Sequence, residues 1–444
     1  MTSGTRTRSR DRSRGRGSPA SRTGAGQRPT APDTSPRGPI SFHLSSRSRQ
    51  GGAFRLQRLV LLEIAAAALL VGRAIGPVAL IAASVLAVAL VAVSFVRRRG
   101  RSLPEWFSAA RALRARQRQA GDAPLPPGTE PALAPALECD PSLRTYTYAG
   151  RDRRPVGLVG DGTFVTAVLQ VEADTTALRA ERSRQPLPLG LVRDALEVDA
   201  IRLESAQIVL HTQPAPALHL PRQSVAVANY QPLQELTGAP AVRITWIALK
   251  LDPELCADAV AARGGGLVGA QKCVVRAADH LASRLTGAGF RVTLLDEEEL
   301  TAALATSACA NPLVTAEAGR TGTPERRTEE STRSWRCDNR RHTTYWVRRW
   351  PALGEDGPSL PQLVARMTAV PALATTFSLT LAPGDRQDVS VSAHVRVTGR
   401  SDNELVEARQ ALQTAARQGG LALSRLDREQ VPGILATLPL GGAR

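Results

Sequence analysis

Two lysines, six histidines and five cysteines are the side chains of this 444-residue chain with most scope for chemistry. Phosphate chemistry on a P-loop needs GxxxxGK[ST], in which the lysine neutralises the phosphates and the hydroxyl holds magnesium. Lys250 stands in LKLD and Lys272 in AQKC, so a Walker-type ATPase is excluded. His43, His211, His219, His280, His342 and His394 form no HExxH and no paired spacing with cysteine that would ligate zinc. Cys337 and His342 share the window WRCDNRRHTTYW, the most aromatic and arginine-dense of the chain. Arginine can stack on tryptophan there, as a packing cluster or a partner surface, whereas a metal would lack two more ligands.

Cys139, Cys256, Cys273, Cys309 and Cys337 include no CxxC and do not cluster. That is the pattern of reduced thiols, not of a disulfide-stapled domain. Gly264–Gly269 (GGGLVG) fits GxGxxG. A helix-like segment precedes it where the dinucleotide fingerprint requires a strand, so it reads as an interhelix loop. There is no GxSxG elbow. Asp161, Asp194, Glu197 and Asp199 could pair for acid–base work, but a hairpin turn and a solvated helix face account for them. No catalytic, cofactor-binding or metal-binding residue is assigned, and no cofactor is expected.

The charge is unevenly placed. Of 57 Lys+Arg and 40 Asp+Glu, residues 1–118 hold 22 arginines against Asp11, Asp33, Glu63 and Glu105; the remainder is close to neutral. The globular part therefore has no excess positive charge to offer phosphates, and no nucleic acid is expected as a partner. Residues 1–52, rich in Arg, Ser, Thr, Gly and Pro, read as a disordered tail.

The elements that must position any site begin at 56–96, a predicted transmembrane hairpin with spans at about 57–75 and 77–96. From Pro77 to Val96 no residue is charged; at ~1.5 Å per residue this run matches the hydrocarbon thickness. Ala74-Ile75-Gly76-Pro77 supplies the turn. Arginines flank both ends, so the positive-inside rule places both termini in the cytoplasm and the chain in the cell membrane as a multi-pass protein. Glu63 and Arg73, charged within the first span, are candidates for snorkelling to an interface or for contact with a partner helix. Arg97, Arg98, Arg99 and Arg101 follow the second span and suit anionic lipid of the cytoplasmic leaflet. Residues 97–120 read as a basic amphipathic juxtamembrane helix, with Trp106, Ala110 and Leu113 on one face and Trp106 as an interfacial aromatic. A Pro-rich linker, 121–142, follows.

Residues 143–444 alternate strand and helix signals and read as a mixed α/β (α+β) cytosolic domain, with a possible two-lobe division near 310–340. Asp161-Gly162 signals a two-residue hairpin turn. Residues 316–334 read as a polar surface loop, Ser401 and Glu404 as a capping box, and no internal repeat is evident.

The quoted residues carry a resemblance. RRRGRSLPEWFSAARALRAR after a tight hairpin, then VGLVGDGTFVTAVLQVEA, NYQPLQELTGAPAVRITWIALKLDPELC, WRCDNRRHTTYWVRRWP and LDREQVPGILATLPLGG, resemble EccE, a membrane component of the actinobacterial type VII (ESX) secretion system. The resemblance implies a non-enzymatic structural subunit that supports a translocon in the cytoplasmic membrane, with EccB-, EccC- and EccD-like partners and no small-molecule substrate. In that division of labour the EccC-like protein hydrolyses ATP. The alternative is a membrane-tethered enzyme with a diverged α/β active site.

Overall fold

The computed structural model describes residues 51–95, 97–98, 101–122, 125–126, 128–150, 154–173, 186–213, 225, 242–321, 326–353, 357–384 and 388–442. The tail expected at 1–52 falls outside them up to residue 50, as does Arg99. Helices α1 (Gly51–Ile75) and α2 (Pro77–Phe95) form a hairpin. The short strands β1 (Arg97–Arg98) and β2 (Arg101–Ser102) pair antiparallel, and α3 (Leu103–Asp122) and α4 (Ala134–Cys139) follow. Among the described residues no helix is long and apolar enough to cross a membrane. The side chains of α2 are described only from Pro77 to Val91, fewer than the ~20 apolar residues a span requires.

Twelve of the remaining strands form one sheet, and two short ones, Glu197–Val198 and Ile201–Arg202, pair only with each other. In chain order come β3 (Arg144–Ala149), β4 (Pro155–Gly160), β5 (Val165–Ala173), α5 (Leu189–Asp194) and the two-residue strands β6 (Glu197–Val198) and β7 (Ile201–Arg202). Next are β8 (Ser205–Gln213), β9 (Val242–Leu251), α6 (Ala257–Ala262), α7 (Gly266–Gly287), β10 (Phe290–Leu294), α8 (Glu297–Ser307) and α9 (Pro312–Thr321). The chain ends with β11 (Thr328–Glu330), β12 (Trp335–Cys337), β13 (Arg340–Arg349), α10 (Leu360–Thr368), β14 (Ala374–Pro383), β15 (Val389–Gly399), α11 (Asp402–Gln418), β16 (Ala422–Arg425) and α12 (Gln430–Leu435). The sheet order is β11-β12-β13-β15-β14-β8-β9-β5-β4-β3, with β10 on β5 and β16 on β13.

That order contains a repeat. The elements α4, β3, β4, β5, α5, β8, β9, α7, β10 and α8 recur as α9, β11, β12, β13, α10, β14, β15, α11, β16 and α12. Each set contains a split β-α-β unit with strand order 4-1-3-2: β10-β5-β9-β8 and β16-β13-β15-β14. Register agrees as well as order. Trp246 lies opposite Gln170 and Val209, as its counterpart His394 lies opposite Trp346 and Ser378. The N–H of Leu295 donates to Val168 O at 3.0 Å, and that of Leu426 to Thr344 O at 3.1 Å. A trace survives in sequence at one gapless spacing: Val275/Val406, Ala277/Ala408, Leu281/Leu412, Gly289/Gly420, Leu295/Leu426, Asp296/Asp427, Glu298/Glu429, Leu304/Leu435, Ala305/Ala436 and Thr306/Thr437. Gly289 and Gly420 share a left-handed conformation (φ 88° and 69°) just after the helix end, where a Cβ would be strained. The expectation of no repeat is thereby corrected.

Other expectations shift locally. Residues 316–334 are not one loop: they contain the end of α9 and all of β11. The Pro-rich stretch 121–142 is not spacer throughout, because Leu133, Ala136 and Leu137 are buried in the core. The turn at Asp161-Gly162 is longer than two residues; Asp161 Oδ1 accepts from the N–H groups of Thr163 and Phe164. Ser401 accepts from Glu404 N–H as expected, but the Glu404 carboxylate reaches back to Arg400 N–H, so the box is displaced by one residue. The full box occurs at Asp296/Glu299 and Ser359/Gln362.

The two sheet faces differ. Ile247, Leu249 and Leu251, with Val395 and Val397, are buried beneath α7, α11 and their neighbours in one apolar cluster. The opposite face, covered by α8, α12 and the C-terminal residues, sets buried polar groups beside a second apolar cluster that includes Val168, Val209, Trp246, Ala248 and Ile434. Gln207 donates to Ser378 Oγ (2.8 Å) and Ala436 O (2.9 Å), and accepts from Gly441 N–H (2.8 Å). Gln430 accepts from Thr344 N–H and donates to Leu426 O. Arg396, fully buried, donates through Nη2 to Ser307 O and Thr376 Oγ1, while its Nε and Nη1 have no hydrogen-bond partner among the described residues. Arg327 is the opposite case. It makes a two-point bond to Asp338 (2.8 Å each) and also donates to Pro131 O and Thr315 Oγ1, while Glu138 accepts its backbone N–H.

These buried polar groups generate two predictions. Replacing Arg396 with Met removes an uncompensated buried charge, so urea unfolding of the full chain should show unchanged or higher stability. Arg327→Met strands Asp338 and should cost about 3–5 kcal/mol; equal losses in both would contradict the contrast. The second concerns pH. Burial drives His211 down to about 3 and His394 to about 4, and pushes His342 well below its usual range, the last with help from Arg396 and Arg340. The unfolded chain therefore binds more protons below about pH 6.5, and stability falls from there towards pH 4, by up to ~1.4 kcal/mol per pH unit for each such histidine. His394→Gln should flatten this slope; an unchanged slope would show that His394 is not held neutral.

Candidate membrane and partner interface

Gly76 turns the α1–α2 hairpin with φ +143°, and its N–H still donates to Gly72 O at 3.2 Å. A Cβ at Gly72 would lie 2.5 Å from Ala83 Cβ and 3.0 Å from Ala79 O, so only glycine permits this helix crossing. Ala65 and Ala87 are buried within the hairpin. Ala65, Gly72 and Ala87 therefore face inward and large apolar residues outward: Leu70, Val71, Ile75, Val78, Ile81 and Val88 are each at least 57 % exposed. A contiguous apolar surface of this kind needs lipid or protein against it. Glu63 and Arg73 are also exposed on it. The backbones of Arg97, Arg98 and Arg101 belong to the β1–β2 ladder.

Trp106 stacks on the folded domain. The Arg428 guanidinium sits 3.7 Å from the centre of its ring, and Ala109 and Leu113, on the same helix, are buried. Arg116 donates from Nε and Nη2 to the Glu330 carboxylate (2.8 and 3.0 Å) and from Nη2 to Arg428 O (2.7 Å). Gln117 Nε2 donates to Glu330 O at 3.0 Å, and Arg326 Nη1 to Ala120 O at 3.1 Å. Glu330 also accepts from Val431 N–H at 2.9 Å. Arg116 and Gln117 thus tie α3 to β11 and to the residues before α12, leaving Arg111, Arg114 and Arg118 exposed. Sequence reasoning found the face but not its partner. Arg116 and Glu330 are 214 residues apart, and neither carries a local signal of the other.

The residues weighed for chemistry are otherwise occupied. Asp194 pairs with Arg193 and Arg284, Asp199 with Arg276 and Glu197 with Arg202. The His342 ring lies 4.9 Å from that of Trp335, its cross-strand partner. Cys337 is a buried free thiol whose pKa burial pushes well up. Among the described residues no three or more His, Cys, Asp or Glu side chains could together hold a metal. A surface recess of about 300 Å³ beside α8 is lined by Gln170, Ile244, Trp246, Thr293 and Glu299. The Glu299 carboxylate caps Asp296 N–H and is not positioned as a base.

Residues 239–347, from the approach to β9 through most of β13, match the family of EccE, the type VII ESX secretion system translocon protein. The resemblance to EccE is borne out over this stretch. The EccE match includes the junction between the two repeats and the Glu330 that receives α3. No curated protein matches the chain. Among solved structures, an alkyldihydroxyacetonephosphate synthase is similar at 8 % identity and a TM-score of 0.24 over 60 % of this chain. The chain spans 42 % of that structure, and the likeness carries no argument.

Glu330→Ala should destabilise the full chain by about 2–4 kcal/mol, since it strands Arg116 and the Val431 N–H. It should also open α3 to limited proteolysis, with Glu330→Gln intermediate. An α3 as resistant as in the native chain would show that the helix does not depend on this contact.

Proposed function

We propose that this protein is a non-enzymatic structural subunit of a type VII (ESX-like) secretion complex in the cytoplasmic membrane, where it supports assembly or stability of the translocon. The observation that carries the reading is the EccE match over residues 239–347. The α1–α2 hairpin is the proposed anchor, with both termini and the sheet domain in the cytoplasm. The 19 residues of α2 at ~1.5 Å each come close to the ~30 Å of a hydrocarbon core. The outward apolar side chains and inward small ones support lipid contact. Arg97, Arg98, Arg99 and Arg101 then meet anionic headgroups, and Glu63 and Arg73 are available to EccB-, EccC- or EccD-like membrane subunits.

The test is complementation in the host. Deleting the chain should reduce export by the type VII system. The full chain should restore it, whereas a chain lacking 56–96, though stably made, should not. Normal export after deletion would overturn the reading. Glu63→Ala should leave the protein in the carbonate-resistant membrane fraction yet lower recovery of partner subunits; unaltered recovery would mean that Glu63 only snorkels.

A further inference from the structure

The two sides of α3 meet different surroundings. Trp106, Arg116 and Gln117 are tied to the second repeat, and Ala109 and Leu113, between them on the same side, are buried. Phe107, Arg111, Arg114 and Arg118 follow one another at helical spacing and form one stripe on the other side. Phe107 is 54 % exposed, and the three arginines are exposed with it. Arg116 finds the Glu330 carboxylate, whereas no described residue bonds or pairs with Arg111, Arg114 or Arg118.

The chain also fixes where this stripe begins. The β1–β2 ladder sets Arg97 opposite Ser102, so the backbone reverses after α2 and returns before α3 starts. Leu103, the first residue of α3, therefore lies beside the end of the apolar hairpin, and α2 and α3 are in contact. From that point the stripe offers one aromatic ring and then a row of guanidiniums without counter-ions. A ring suits the boundary between acyl chains and headgroups, and a guanidinium is matched in shape and charge to a phosphate.

Charge rules out occupants from the chain itself. Two copies meeting through this face would set arginine against arginine. Residues 1–50 hold 11 arginines against Asp11 and Asp33, so the tail carries the same sign. We infer that the stripe Phe107–Arg111–Arg114–Arg118 lies on the cytoplasmic leaflet and takes the phosphates of anionic lipid. One side of α3 then carries the second repeat and the other the membrane surface, which holds the sheet domain against the leaflet. The inference rests on the proposed α1–α2 anchor. It goes beyond that anchor in assigning lipid to a side of α3 other than the one with Trp106, Ala109 and Leu113.

The test reads each arginine separately, on the full chain in phosphatidylcholine nanodiscs with or without phosphatidylglycerol. Phenylglyoxal adds to accessible guanidiniums, and peptide mass spectrometry gives the extent at each position. Phosphatidylglycerol should slow modification of Arg111, Arg114 and Arg118 about fivefold, equivalent to the ~1 kcal/mol that a basic residue gains beside an anionic leaflet. High salt should remove much of that protection. Arg366, exposed on α10, should react alike in both kinds of disc. Carbonate extraction of host membranes reports the anchor independently. A chain that is extracted overturns the anchor reading and this inference with it; one that resists, while the three arginines react equally in both discs, overturns this inference alone. Protection in host membranes but not in phosphatidylglycerol discs would assign the stripe to an acidic protein surface, and would equally overturn it.

Discussion

The seam between β8 and β14 is the constraint on which the rest of the sheet depends. Each split β-α-β unit would otherwise leave a strand with unpaired N–H and C=O groups. The chain closes both edges by pairing them antiparallel from Ala206/Leu381 to Thr212/Thr375. The equivalent residues Val209 and Ser378 lie opposite one another, so the repeats are related about this point. Side chains reinforce the seam. Gln207 bonds Ser378, the His211 ring bonds Thr376 at 2.9 Å, and Thr212 Oγ1 donates to Thr375 O at 3.2 Å. Most buried polar groups need built-in partners, and at this seam the other repeat and the C-terminal residues supply them.

The repeats are alike in architecture and unlike in use. The first buries Trp246 where the second has His394, and Ala248 where the second has Arg396. In the second repeat Gln430 turns inward to the sheet, while its counterpart Glu299 caps its own helix. The edge strand β11 is closed by Glu138, Arg326 and the Glu330–Arg116–Gln117 cluster, which ties α3 to the domain. A helix that was legible only as amphipathic is in effect a strap between the hairpin and the second repeat.

The strand Val242–Leu251 alternates clearly enough to be legible in the sequence to the residue, and the helix after Ser401 is legible from its cap. The repeat was not. Its counterparts share most of their identities from α7 to α8 and α11 to α12, with only isolated ones such as Val171/Val347 and Leu210/Leu379 in the strands, and β9 and β15 match in position without sharing a residue at equivalent sites. Unequal insertions hide the period further: β8 and β9 are separated by 214–241, β14 and β15 by 384–388. The destination of α3 was illegible for another reason. An amphipathic face reports that something covers it, and headgroups and a protein surface satisfy the same pattern. The buried residues of α4 show the same limit, since proline spacing reads as linker until Glu138 finds the N–H groups of Arg327 and Thr328.

The account centres on a tethered scaffold whose worth lies in its contacts with other subunits. The most direct measurement is mild-detergent purification of the C-terminally tagged chain from its own host membranes, with mass spectrometry of what accompanies it. The account predicts stoichiometric recovery of EccB- and EccD-like proteins with an EccC-like ATPase. Recovery of the chain alone, from membranes in which those subunits are present and assembled, would contradict it.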